Sequence, residues 1–207
     1  MHPDVIKAAR RHFKKVDPHF YGHIAPIGIL DFDEHEKTDM YHSLIRAILG
    51  QQLSVKAAQT IYDRFIEFFE DPYPDPFRLV NLDDAQLRSK GVSRQKAGYI
   101  RNVAQFFIDE GWLDQDMDHM DDDTLIQKLT SIKGVGLWTV QMMLMFKMNR
   151  PDIIALDDLG IQNAMKAIYN IEASGKALKS KMQELSEPWA PYRTIGCMYL
   201  WRYKDEG

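Results

Sequence analysis

The sequence predicts an all-α chain. Apolar residues recur at helical spacing, as in Tyr41, Leu44, Ile45, Ile48 and Leu49, which stand at i, i+3, i+4, i+7 and i+8 and would line one helix face. Strict apolar–polar alternation, the mark of half-buried strands, is nearly absent. With 45% of 207 residues apolar, there is enough to close one compact domain or two lobes sharing a cleft.

The elements follow in order. After the Tyr41–Leu49 helix, Ser54 is a good N-cap for a second one that would carry Val55, Ala58, Tyr62, Phe65 and Phe69 inward. Pro72, Pro74 and Pro76 stand at alternate positions and end that helix, because each removes a backbone donor. Helices are expected over Asp83 to Ser89 and Ser93 to Asp109, the second with Ala97, Ile100, Ala104 and Phe107 on one face. The acidic run from Asp114 to Asp121 is not a calcium loop: the sixth and twelfth positions, which need Gly and Glu, hold His119 and Leu125. It reads as a solvated loop that caps a helix starting near Thr124.

Composition excludes several classes. There is no run of eighteen apolar residues to cross a membrane, and Met1-His2-Pro3-Asp4 begins no signal peptide, so a soluble intracellular protein is expected. A single cysteine, Cys197, supplies neither an internal disulfide nor the ligands of an iron–sulfur cluster or zinc ribbon. The histidines at 2, 12, 19, 23, 35, 42 and 119 show no metal-ligand spacing. A formal net charge of -4 leaves no broad basic footprint, so any nucleic-acid site must be local.

The most informative stretch is Leu129-Thr130-Ser131-Ile132-Lys133-Gly134-Val135-Gly136-Leu137-Trp138-Thr139-Val140. Two glycines one residue apart separate two helical patterns, the second with Trp138, Met142, Met145 and Phe146 on one face. Glycines permit positive φ and close approach of another backbone. A helix opening at such a turn presents unbonded N–H groups and the positive end of its dipole to an anion. From the residues alone the turn reads first as a tight connection in an ordinary helical bundle. Further on, Asp157 or Asp158 reads as the N-cap of a helix running to Ile168.

Taken together, the string from Leu129 to Val140 and the segment Ile153-Ile154-Ala155-Leu156-Asp157-Asp158-Leu159-Gly160-Ile161 resemble the helix-hairpin-helix DNA glycosylase superfamily. Three more segments narrow the resemblance: Leu44 to Ser54, Arg94-Gln95-Lys96-Ala97, and Trp189-Ala190-Pro191-Tyr192-Arg193 leading to Tyr199-Leu200-Trp201. Within the superfamily they are most similar to DNA-3-methyladenine glycosylase II, the alkylbase DNA glycosylases. The chain's length suggests the compact form, without the N-terminal β-containing domain of the long bacterial form. The resemblance implies one domain over 1–207: a helical lobe over about 36–128, the hairpin over 129–148, and a second lobe from the N-terminal segment plus 149–207, with a base-binding cleft between the lobes.

It also implies roles. Asp158 would be the carboxylate that stabilises positive charge on the sugar and activates water, with Asp157 as the fallback. Asp158 fits the pattern better because β-branched Ile161 follows it by three residues, where Asp157 has Gly160. Bifunctional relatives carry a lysine two residues after the second glycine, and here that position is Trp138, so no lyase step is expected. Trp138 and Tyr192 would stack on an extruded cationic base. Gln52 would fill the vacated space and Leu53 would wedge the opposite strand.

Phosphate contacts would come from the backbone of Gly134, Val135 and Gly136 and from Lys133, Arg94 and Lys96. No cofactor is required, although a monovalent cation, sodium or potassium, could sit on the main-chain carbonyls of Thr130, Ile132 and Val135. The implied activity is hydrolytic excision of 3-methyladenine or 7-methylguanine from duplex DNA by a monomer. Two other readings accord with the residues: a glycosylase for uracil, hypoxanthine or mismatched adenine, and a helical DNA-binding module without catalysis.

Overall fold

The structure, a computed structural model, describes residues 2–30, 39–113 and 117–206. Among these residues there are twelve α-helices, three short 3-10 turns and no strand, so the all-α expectation holds. Asp114 to Asp116, at the head of the acidic run, lie outside the described residues. No helix is long and apolar enough to cross a membrane among the described residues. The chain divides into two compact units, Met1–Glu36 with Leu144–Gly207, and Lys37–Met143.

Helices α1 (Pro3–Val16) and α2 (Pro18–Ile24) open the first unit, each with proline at its first position, where the missing N–H costs nothing. Asp17 caps α2 by accepting from the Phe20 N–H at 2.9 Å. Its other oxygen accepts from the Trp189 indole at 2.9 Å and from the Tyr169 hydroxyl.

The second unit begins with α3 (Met40–Gly50) and α4 (Val55–Ile66), capped by Asp39 and Ser54. Short α5 (Pro76–Leu79) and α6 (Asp84–Ser89) follow, and then the long α7 (Arg94–Asp109). The caps of these three are Asp75, Asp83 and Ser93, and Asp83 forms a full capping box with Gln86. Packing of α7 against α3 makes the core of this unit. Ala97, Ile100, Val103, Ala104 and Phe107 of α7 are buried, as are Tyr41, Leu44, Ile45 and Ile48 of α3. Helix α8 (Asp122–Thr130), capped by Asp121, leads into the turn before α9 (Leu137–Phe146), which runs on into the first unit.

Three expectations change. Val55 points outward and is 89% exposed, since the start of α4, with Ser54 and Lys56 also exposed, lies at the surface. Phe69 is buried but lies beyond α4, which stops at Ile66. Pro76 opens a helix as well as closing the loop before it, since Asp75 caps the turn that it begins.

The first unit is completed by α10 (Leu159–Tyr169), α11 (Gly175–Ser186) and α12 (Arg193–Glu206). Residues 194–200 of α12 are all buried, and α12 packs on α10 and α2. Trp189 is fully buried and stacked on Phe20 at 4.2 Å between ring centroids. Gly196 makes room for it, since a Cβ there would lie 2.6 Å from the Trp189 ring.

The first turn of α12 staples the segment that leads toward α10. Arg193 forms a bidentate pair with Asp152, both bonds at 2.8 Å. Buried Thr194 accepts from the Ile153 N–H at 2.9 Å, donates to the Arg150 carbonyl at 2.7 Å, and sends its own N–H to the Pro151 carbonyl at 3.0 Å. Thr194→Val keeps the shape but strands the Ile153 N–H, so unfolding in urea should show a loss of about 1–3 kcal/mol.

Candidate functional site

The candidate residues fall in both units. In Lys37–Met143 they gather around two turns that α7 holds in place. The first is Ser131 to Gly136, between α8 and α9. Gly134 has φ +108, and a Cβ on it would lie 2.2 Å from Cγ of Tyr99, so both conformation and space require glycine there. Tyr99 is steadied by Gln95, whose side-chain amide donates to its hydroxyl at 2.7 Å, and Asn102 donates to the Lys133 carbonyl at 3.0 Å. The Lys133 side chain itself is exposed.

Gly136 differs from Gly134. A Cβ there would meet nothing within 4 Å, so the protein leaves that side of the turn open. Val135 is buried and sends its N–H to the Ile132 carbonyl at 3.0 Å. That N–H therefore serves the turn, and any anion donors must come from its neighbours and the first turn of α9. The first intrahelical bond runs from Val140 to the Gly136 carbonyl at 3.1 Å, which leaves the preceding N–H groups ahead of the ladder.

The second turn, Gln51 to Ser54, joins α3 to α4. Gln52 has φ +58, a left-handed conformation that asparagine tolerates and glutamine rarely adopts. The other two such non-glycine residues among those described are Asn149 and Asn170. Lys96, given above to phosphate, points inward: its ammonium donates to the Leu49 carbonyl at 2.7 Å and the Gln51 carbonyl at 2.9 Å. It thereby caps the C-terminal end of α3 and braces the strained turn. Burial pushes its pKa down. Gln51 reaches the Gly134 carbonyl at 3.5 Å, so the two turns are neighbours. Leu53 is 39% exposed and Gln52 is exposed. Arg94 is exposed at the start of α7 and lies 3.5 Å from an Asp84 carboxylate oxygen.

Trp138, in the first turn of α9, is 48% exposed. The face expected for it does not form, because Met145 is buried while Met142 and Phe146 are only half-buried. Thr139, Val140 and Leu144 are the other buried residues there with Gln141. The helix is apolar almost all round, so its sequence could not say which side faces out.

In the other unit, Asp158 and Asp157 part company. Asp157 is exposed and paired with Lys179 of α11. Asp158 is the half-buried N-cap of α10, and its Oδ1 accepts from the Ile161 N–H at 2.9 Å and from the Trp201 indole N–H at 2.8 Å. Sequence reasoning missed this use of Trp201, which comes from 43 residues away. Cys197 lies buried nearby, its thiol pushed up to about 12 by burial, with the Asp158 charge adding to the shift. It is thus held neutral and is no nucleophile. Tyr192 is half-buried and meets the His12 ring edge-on at 5.5 Å.

Comparison with known proteins places the chain in a family. A family model described as the HhH-GPD superfamily of base excision DNA repair proteins matches residues 45–191. The solved structure of DNA-3-methyladenine glycosidase from Bacillus halodurans superposes with a TM-score of 0.81 at 32% identity, covering 93% of this chain and 88% of that one. The 3-methyladenine DNA glycosylase Mag1 of Schizosaccharomyces pombe, solved in complex with abasic DNA, gives 0.75 at 30% identity, over 94% and 95%. A Bacillus subtilis relative, YfjP, is 35% identical over 184 residues, and the match spans 83% of this chain but 63% of the relative's length.

The two glycines should respond differently to the same change. Gly134→Ala should cost roughly 2 kcal/mol or more in denaturant unfolding, from the positive φ and the Tyr99 overlap. Gly136→Ala should stay within about 0.5 kcal/mol of wild type.

Proposed function

The chain belongs to the HhH-GPD superfamily of base excision DNA repair proteins, and from that membership we propose that it is a monofunctional DNA glycosylase that excises alkylated purines from duplex DNA. The observation that carries this reading is the carboxylate of Asp158, at the N-terminus of α10, whose Oδ1 accepts from the Ile161 N–H and the Trp201 indole. Breaking an N-glycosidic bond builds positive charge at C1′. A fixed negative charge of known direction stabilises that charge and orients the attacking water. The helix N-terminus and both hydrogen bonds favour the ionised form, which is the form needed.

Trp138 supports the choice of base. Purines methylated at N3 or N7 are cationic and leave without help from an acid, so recognition rests on stacking. An exposed indole gains dispersion and cation–π attraction with such a base, about 2 kcal/mol when desolvated. Tyr192 is the second aromatic surface in this reading. Trp138 also stands where bifunctional relatives place their lysine, so the product is an abasic site and no Schiff base forms.

DNA is gripped through the turn at Gly134 and Gly136, with Lys133 and Arg94 at its edges, while Gln52 and Leu53 enter the duplex. The protein acts as a monomer on one extruded nucleotide. Among the described residues no side-chain cluster suits a metal. A sodium or potassium ion would be held by the carbonyls of Thr130, Ile132 and Val135, hard oxygen donors suited to it, and of these Ile132 already accepts from Val135. Such an ion would tie the turn to a phosphate and takes no part in bond breaking.

Methylated duplex DNA incubated with the protein should release 3-methyladenine and 7-methylguanine and leave alkali-labile sites. Asp158→Asn should lower the rate at least about 100-fold with DNA affinity retained. Trp138→Ala should lower it about tenfold on cationic bases, and borohydride should trap no covalent adduct. Release of uracil or hypoxanthine in place of methylated bases would reassign the substrate. No release at all, or equal release by Asp158→Asn, would refute the mechanism.

A further inference from the structure

We propose that Trp201 is a positioning residue for the excision reaction, its indole N–H fixing the Asp158 carboxylate and Gly160 providing the space in which it does so. The inference rests on the role given to Asp158 above. The bond from Trp201 Nε1 to Asp158 Oδ1 is 2.8 Å. The indole is held from another side by the ring of Phe146, stacked at 5.8 Å with 29° between planes.

Gly160 is explained by this arrangement. Its φ is not in the left-handed region, and it lies inside α10, where alanine would serve the helix better. A Cβ on it, however, would come 3.0 Å from Cδ1 of Trp201, 3.3 Å from its Nε1 and 3.1 Å from Asp158 Oδ1. Glycine stands there because the indole and the carboxylate meet across it.

The indole suits the task chemically. A lysine or arginine in its place would orient the carboxylate but cancel the negative charge on which the reaction depends. A neutral N–H orients it and still favours ionisation. With the Ile161 N–H and the indole both on Oδ1, that oxygen is restrained from α10 and from α12 at once. Of the ionisable groups on α11 and α12, Cys197 is buried and neutral, Arg193 is paired with Asp152, and Lys179 is paired with Asp157.

Two variants of the full chain loosen the bond by different routes. Trp201→Phe removes the donor and keeps an apolar ring. Gly160→Ala keeps the indole and pushes it off by a few tenths of an ångström. Both should lower single-turnover excision about tenfold with affinity for abasic DNA unchanged. The acid limb of the rate profile should move to higher pH, because a carboxylate that loses a donor holds its proton more tightly.

A readout without catalysis separates this inference from the glycosylase reading. In nitrogen–proton correlation spectra, the Trp201 indole resonance, assigned by its loss in Trp201→Phe, should follow one carboxylate titration. That titration should shift to higher pH in Gly160→Ala and vanish in Asp158→Asn. If excision by the wild type fails while this titration is seen, the function is wrong and the coupling stands. An indole resonance indifferent to Asp158, or wild-type rates and pH profile in Gly160→Ala, overturns the proposal.

Discussion

One carboxylate oxygen, Oδ1 of Asp158, is the point on which the unit formed by Met1–Glu36 and Leu144–Gly207 depends. It starts α10 by accepting from Ile161 and ties α10 to α12 by accepting from Trp201. A reactive charge must be both available and immobile, and those demands usually conflict, since each hydrogen bond that restrains a carboxylate also covers it. Here the Ile161 N–H and the Trp201 indole N–H restrain the carboxylate through Oδ1. The staple at Arg193 and Thr194 serves the same end, because it fixes the run from Arg150 to Ile153 against α12 before the chain reaches Asp158. The helix that supplies the indole thus also anchors the loop that delivers the carboxylate.

In the other unit the organising element is α7. Lys96, Tyr99 and Asn102 succeed one another at helical spacing on it, and each holds a piece of one of the two turns: Lys96 the carbonyls of Leu49 and Gln51, Tyr99 the bare Cα of Gly134, Asn102 the carbonyl of Lys133. A left-handed glutamine persists only where its surroundings impose it. The ammonium of Lys96 on the carbonyl just before Gln52 is such an imposition, and it explains why a lysine is spent inward on a chain of net charge -4.

How much of this was legible follows from how local each cause is. The buried faces of α3 and α7, the cap Ser54 and a cap at Asp157 or Asp158 could be read because periodicity and capping are written within a few residues. Helix α5 was hidden because prolines signal an ending more loudly than Asp75-Pro76 signals a start. Val55 looked apolar and therefore inward, but an N-terminal first turn has less neighbouring structure to bury it. The exposure of Trp138 could not be read from a helix that is apolar almost all round, its polar Thr139 and Gln141 being themselves buried. The duty of Lys96 and the bond from Trp201 to Asp158 span 45 and 43 residues, and nothing local announces them. Asp157 and Asp158 are adjacent in sequence, yet one is a surface ion-pair partner and the other a cap; only the register of α10 separates them.

The treatment of charge follows from these placements. Lys96, which sequence position offered as a phosphate contact, is committed to carbonyls, and Val135 commits its N–H to the turn. Facing outward near the turns of the second unit are a backbone open at Gly136, the exposed cations Lys56, Arg94 and Lys133, and the apolar surfaces of Leu53 and Val55 beside Gln52. On a chain of net charge -4, counterion release at these few positions does not by itself make a strong hold. On the proposed reading the hold is therefore built from oriented N–H groups and from apolar insertion. Both act at short range and need the turns to be rigid, and that rigidity is what Tyr99 and Lys96 provide from within.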